Sequence, residues 1–344
     1  MRSLRSANLF FFLLPVLFLQ AQTPSVHVIQ REFIFDTASF ESCHASTIVS
    51  LNKDLLMSAW FGGKFEGNND VRIWGSFFRN NTWSKPVLLA EGVSENNTPY
   101  PCWNPVLFKA RNGLLYLHYK VGPNPREWWA LYKTSHDDGK TWSKATRLPE
   151  GFLGPIKNKP VQLASGDILY PSSTESRDGT WNVQVEISDA SLQQWKKIPV
   201  ASNGFGVIQP TFLTYGKRMQ MLCRSKQNVI AQSWSDDNGQ SWSLFTSTAL
   251  ANPSSGIDAV TLQNGTQLLV YNPMPSGKEW WEGRAVLKIA LSKDGINWNN
   301  VYTLEEHTDD EYSYPAVIQD ASGRIHITYT SKRKRINYVS LDLR

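Results

Sequence analysis

Six short segments of this 344-residue chain carry polar and aromatic side chains where a purely structural strand would use Val or Ile. They read SCHAS (42–46), PCWNP (101–105), IKNKP (156–160), IQP (208–210), SGIDA (255–259) and EYSYP (311–315). Together they supply His44, Trp103, Asn104, Lys157, Asn158, Lys159, Gln209, Asp258, Tyr312 and Tyr314. Further along each unit stand Glu66, Asp70, Arg72, Lys120, Glu175, Arg224, Asn272 and Arg284. Guanidinium forks clamp a carboxylate through paired hydrogen bonds, aromatic faces accept pyranose rings, and a spare carboxyl or imidazole moves protons. The set suits an acidic sugar. A single arginine at a strand end is ordinarily a surface ion pair, and a single histidine ordinarily a packing residue. Recurrence at equivalent places is what argues for a site.

That equivalence rests on a repeat. Each segment runs into a strand, a tight turn and a second strand: IVSLNKDLLMSAW (48–60), VLFKARNGLLYLHY (106–119), VQLASGDILYPS (161–172), TFLTYGKRMQMLCR (211–224), VTLQNGTQLLVYN (260–272) and VIQDASGRIHITYT (317–330). The turn glycines Gly113, Gly166, Gly216, Gly265 and Gly323 lie 53, 50, 49 and 58 residues apart, and Lys53-Asp54 makes the first turn. Alternating apolar residues flank each turn, the pattern of antiparallel hairpins. A period of about 54 residues suits a four-stranded propeller blade.

A second mark follows the hairpins. SHDDGKTWS (135–143) and SDDNGQSWS (235–243) share S-x-D-x-G-x-[ST]-W, SKDGINW (292–298) is one residue shorter, and RNNTWS (79–84) and SDASLQQW (188–195) are degenerate copies. In such turns Asp accepts hydrogen bonds from its own loop and Trp plugs the blade. INYVSLDL (336–343) lacks the mark, while VHVIQREFIF (26–35) lacks a partner. Pairing the two completes the last blade and leaves no open edge. The expected fold is all-β: a six-bladed propeller over residues 22–344, with four antiparallel strands per blade and the ring closed by the N-terminal strand on the C-terminal one. First strands line the central channel of a propeller, so the six segments should meet at one mouth.

Composition narrows the partners. With 14 Trp, 12 Tyr and 16 Phe against 30 acidic residues, the chain is too aromatic for disorder. Arg2 and Arg5 precede an apolar run from Leu9 to Leu19, and Leu19-Gln20-Ala21 offers a cleavage site, so residues 1–21 read as a secretory signal. The run is too short to span a bilayer, and export to the medium or periplasm is expected. Without it 33 basic residues face 30 acidic ones, and four of the positives stand together in Lys332-Arg333-Lys334-Arg335. We read that run as a solvated strand end; it gives no broad basic face for nucleic acid. Cys43, Cys102 and Cys223 cannot build a disulfide framework; Cys43 with Cys102 is the one plausible pair, and buried free thiols are the alternative. No Cys or His spacing suggests a metal, no cofactor is expected, and the chain should act as a monomer on an acidic glycan.

These turns, at this period and in this six-hairpin layout, resemble the sialidase (neuraminidase) superfamily in its BNR-repeat group, over about residues 30–340. FGGKFEGNNDVRIW (61–74), NPMPSGKEWWEGRAVL (272–287) and EYSYPAVIQ (311–319) carry the resemblance most closely. It implies an exo-glycosidase acting on terminal acidic sugars. By the family pattern Arg224 and Arg284 resemble two of three carboxylate-binding arginines, Tyr312 resembles the nucleophile, and Glu66 or Asp70 the acid/base. Gln209, Asn104, Lys159, Asp258 and Tyr314 would line the sugar site. The chain departs from the pattern twice. His44-Ala45-Ser46 stands where sialidases have Arg-Ile-Pro, and Gln209 where they have the Glu that activates the tyrosine; Gln cannot take a proton. A uronate lyase with His44 as base and Tyr312 as acid is a second reading, and a binding-only propeller a third.

Overall fold

The structure, a computed structural model, describes residues 25–93 and 96–344; the expected signal segment lies outside them. Six separate antiparallel sheets follow one another along the chain, and each is a blade. Blade 1 runs from Ser42–Asn52 through Leu55–Gly63 and Arg72–Arg79, blade 2 from Cys102–Lys109, blade 3 from Val161–Gln162, blade 4 from Val207–Tyr215, blade 5 from Asp258–Thr261 and blade 6 from Tyr312–Gln319. Val26–Phe33 pairs antiparallel with Arg335–Leu343 as the outer strand of blade 6, so the ring closes as the unpartnered N-terminal run required.

The core divides as the repeat predicts, with one apolar cluster between each pair of neighbouring blades. Trp60, Ile48 and Cys43 of blade 1 meet Ile336 and Tyr338 of blade 6, for example, so the closing seam is packed like the others. The Trp-marked turns behave as expected. Ser135 donates to Asp137 at 2.8 Å, and Asp137 also accepts from the Thr141 hydroxyl at 2.6 Å and its N–H at 2.9 Å. Ser235, Asp237 and Ser241 repeat this network in blade 4. Hydrogen bonds from Thr141 and Ser135 hold the Asp137 carboxyl down at about 2. Cys43, Cys102 and Cys223 are all free and buried.

One irregularity shapes the mouth. In blades 1, 2, 4 and 6 the first strand slips register between His44 and Thr47, Trp103 and Val106, Ile208 and Thr211, and Ser313 and Ala316. The unpaired residues include Ala45, Asn104, Gln209 and Tyr314, whose φ angles are +54°, +33°, +55° and +53°. A bulge re-aims side chains and strengthens local twist, and left-handed backbone is costly without glycine. In three of the four the next residue is proline (Pro105, Pro210, Pro315), which has no N–H to lose where pairing lapses. The same strained step therefore recurs at the mouth in four of six blades.

Candidate active site

Arg224 is the last residue but one of the second strand of blade 4, Arg218–Ser225, and Arg284 lies near the end of the long loop of blade 5. Both are nearly buried, 9% and 7% exposed. Arg224 Nη1 donates to Tyr314 Oη at 2.5 Å and to Gln209 Oε1 at 3.3 Å, and its guanidinium lies over Trp181, 5.2 Å from the ring centre. Arg284 Nη1 meets Glu311 Oε1 at 3.1 Å, with its guanidinium 5.2 Å from the centre of Trp280. Asn272 fixes the backbone there, donating to the carbonyls of Val286 at 2.7 Å and Tyr312 at 2.8 Å. Burial lowers the Arg284 pKa, neighbouring Tyr314 and Glu311 push it back, and Arg224 adds to the lowering. The Nε of each arginine is buried with no hydrogen-bond partner among the described residues.

Tyr314 occupies the centre of this cluster. Its ring stands 4.1 Å from that of His44, centre to centre, and 5.8 Å from Lys157 Nζ. His44 is 2% exposed, packs edge-on against Phe61, and has no hydrogen-bond partner among the described residues on either ring nitrogen. Burial, then the charges of Arg333, Arg284, Lys157 and Arg224, hold its pKa well below the usual histidine range. His44 is a neutral imidazole among cations. Lys157, by contrast, is fully engaged: Nζ donates to Pro315 O at 2.6 Å, Asn158 Oδ1 at 2.8 Å and Ile257 O at 3.0 Å. It braces blades 3, 5 and 6 across the channel, and burial brings its pKa down to about 7.

Beside Arg284 runs an alternating chain of charges. Glu311, 8% exposed, receives Arg284, Ser313 Oγ at 2.8 Å and Arg333 Nε at 2.8 Å. Burial works to raise the Glu311 pKa, but Arg333 and Arg284 outweigh it and hold the carboxyl below its usual range. Arg333 Nη1 then pairs with Glu66, on the loop that follows Leu55–Gly63. Arg333 belongs to the basic run expected to be solvated; its side chain is instead 21% exposed and lies over Trp280 at 4.7 Å.

The remaining expected site residues divide. Gln209 reaches the mouth through Arg224, and Asn104 sits on its bulge, 6% exposed. Asp70 points into its own loop, where both carboxylate oxygens accept the Lys64 N–H at 3.1 Å. Lys159 and Asp258 form a 2.8 Å ion pair deeper in the channel, and Asp258 also accepts Thr211 Oγ1 and the Val317 N–H, tying blades 3, 4, 5 and 6 together. Tyr312 precedes the bulge, and its ring stacks on His307 at 4.7 Å in a cleft of ≈ 850 Å³ with Glu305 and Lys332. The geometry thus brings Tyr314, not Tyr312, against Arg224 and His44. Glu311 reaches the mouth with its segment EYSYP, and Arg333 joins it although sequence patterns gave it no such place. Lys332 and Arg333 form the turn of the last hairpin with φ of +52° and +53°, a conformation that Lys-Arg does not advertise.

Fold and mouth together define a sialidase-like β-propeller. The chain belongs to the BNR repeat-like domain family, whose profile matches residues 54–327. A Dyadobacter fermentans protein of unknown function is similar in fold, with a TM-score of 0.76 at 15% identity, over 94% of this chain and 100% of that one. NanB sialidase from Streptococcus pneumoniae is similar with a TM-score of 0.71 at 14% identity, over 90% of this chain and 70% of its own. Trypanosoma rangeli sialidase gives 0.69 at 15%, over 88% of this chain and 55% of its own. At such identities the likeness is one of fold. No curated sequence matches the chain. Among the described residues no helix is long and apolar enough to cross a membrane, and no three metal-ligating side chains cluster.

Proposed function

We propose that the protein is an exo-glycosidase that removes a terminal acidic sugar, sialic-acid-like, from glycans. The observation that carries this reading is the pair of nearly buried arginines at one tyrosine, Arg224 donating to Tyr314 Oη and the charge of Arg284 close enough to act on the same phenol. The sugar carboxylate binds the two guanidinium groups. Tyr314 Oη attacks the anomeric carbon as the glycosidic C–O bond breaks, its phenol proton passing to the neutral imidazole of His44 against its ring, and Glu66, in its protonated form, gives its proton to the departing oxygen. Glu66 then takes a proton from water, whose oxygen displaces Tyr314 and releases the sugar, and Tyr314 recovers its proton from His44. A phenol suits this attack better than a carboxylate, which the substrate's own carboxylate would repel; sialidases are the known exception to the two-carboxylate scheme. Asp70 acts as a positioning residue, holding the loop that carries Glu66.

One observation favours a lyase as the second reading. His44 is a neutral base with both nitrogens unpartnered, beside cations that would acidify the proton next to a bound carboxylate. Its burial beneath Tyr314 weighs against direct contact with a sugar. Incubation with an aryl sialoside and, separately, with a uronate polysaccharide decides the matter. Release of the aryl alcohol supports the glycosidase, whereas unsaturated-uronide absorbance without aryl release overturns it in favour of the lyase.

A further inference from the structure

We infer that Arg333 is a carboxylate-binding residue of the mouth, and that the ligand-free protein fills it with its own Glu66, which an incoming carboxylate must displace. The inference rests on the reading of the mouth as an acidic-sugar site. The two carboxylates on Arg333 are not equivalent. Glu311 lies along one guanidinium edge, through Nε at 2.8 Å and more loosely Nη2 at 3.5 Å, and is itself buried and held by Ser313 and Arg284. It is a fixed counter-ion.

Glu66 is different in each respect. Its side chain is 37% exposed, and Arg333 is its sole partner among the described residues. It projects from a loop that keeps its shape by other means: Asp70 accepts the Lys64 N–H, the Asn68 N–H donates to Phe65 O at 3.0 Å, and Asn68 Oδ1 accepts the Asp70 N–H at 3.1 Å. Releasing Glu66 from Arg333 therefore leaves the loop intact. Trp280 covers both Arg284 and Arg333, so the two guanidinium groups share one aromatic wall. A ligand carboxylate entering beside Arg284 competes with Glu66 for Arg333. A partly exposed ion pair is weak enough to be exchanged. The exchange frees Glu66 to act on the glycosidic oxygen only when an acidic sugar is present, so one residue both excludes other ligands and catalyses.

Calorimetric titration of wild type, Glu66→Gln, Arg333→Gln and the double variant with N-acetylneuraminate and D-glucuronate tests this, with melting curves confirming that each is folded. Glu66→Gln should bind a carboxylate probe about fivefold more tightly than wild type, an affinity gain at odds with its slower turnover of an aryl sialoside. In the Arg333→Gln background the same change should leave affinity within about twofold. Equal or weaker binding by folded Glu66→Gln, or a gain that survives without Arg333, overturns the inference. Arg224→Met separates the two readings: unchanged probe affinity in that variant defeats the acidic-sugar mouth itself, whatever Glu66 does.

Discussion

Arg224→Met is the sharpest perturbation of the mouth, because it should harm activity and spare the fold. Methionine keeps the apolar stem and its packing while removing the charged fork. Arg224 is 9% exposed, and among the described residues no carboxylate lies within ion-pair distance; its Nη1 partners are the neutral Tyr314 and Gln209, and its Nε has none. Folding therefore buries a cation without a counter-charge, and an apolar replacement at such a site is neutral or stabilising. Activity moves the other way. Losing one partner of a desolvated, hydrogen-bonded charge pair costs about 2–5 kcal/mol. Taking about 3 kcal/mol, kcat/KM on an aryl sialoside should fall roughly 150-fold, at 1.4 kcal/mol per decade. The methyl ester of the same substrate, which has no carboxylate, should distinguish wild type from variant by only about tenfold, the worth of the lost Arg224–Tyr314 hydrogen bond. Retention of kcat/KM within threefold on the free acid would refute the reasoning. A melting temperature lower by more than about 5 °C would refute the other half, by showing that Arg224 braces the blade.

Three other outcomes follow from the same geometry. Tyr314→Phe should reduce turnover by at least about a thousandfold and Tyr312→Phe by less than about threefold; the reverse order in aryl-release assays would return the chemistry to the cleft beside His307. His44 and His118 are buried without hydrogen-bond partners, the second brought down to about 3 by burial and by Lys120. Both titrate more readily unfolded than folded, so stability is complete above about pH 6.5 and falls as pH drops below it, by about 1.4 kcal/mol per pH unit per histidine. Urea unfolding at pH 7 and pH 5 reads this directly, His118→Phe should remove one share, and flat stability over that range contradicts the assignment. The three buried thiols, with Cys102 pushed up to about 12 by burial, should ignore Ellman's reagent in the native protein and all react in denaturant; a reactive native thiol would contradict their burial.

The fold was legible because a repeat states the same instruction six times. Alternating apolar residues about a turn define a hairpin, the Trp marks close five blades, and the unmarked C-terminal strand needs the N-terminal one. The site was legible only in part, because the mouth is built where the strand rules lapse. Alternation places Tyr312 and Tyr314 on one face, and the bulge at φ +53° separates them. The X-Pro pairs Asn104-Pro105, Gln209-Pro210 and Tyr314-Pro315 were the available signal, but Lys159-Pro160 carries the same signal and sends its side chain down the channel to Asp258. Charge runs mislead for a related reason: a two-residue left-handed turn splits Lys332 from Arg333 and turns the latter inward.

The departures from the sialidase pattern make physical sense together once the neighbours are known. Glutamine at 209 keeps an oxygen for Arg224 to donate to but removes the charge that a glutamate would supply. Histidine at 44 is held neutral by its burial and then by the cations around it, and adds no charge of its own. Both exchanges leave Arg224 without a carboxylate, while Arg284 and Arg333 share Glu311. The mouth then carries three guanidinium groups against Glu311 and the displaceable Glu66. An uncompensated positive charge of that kind, buried and walled by Trp181 and Trp280, is unfavourable to keep empty and favourable to fill with an anion.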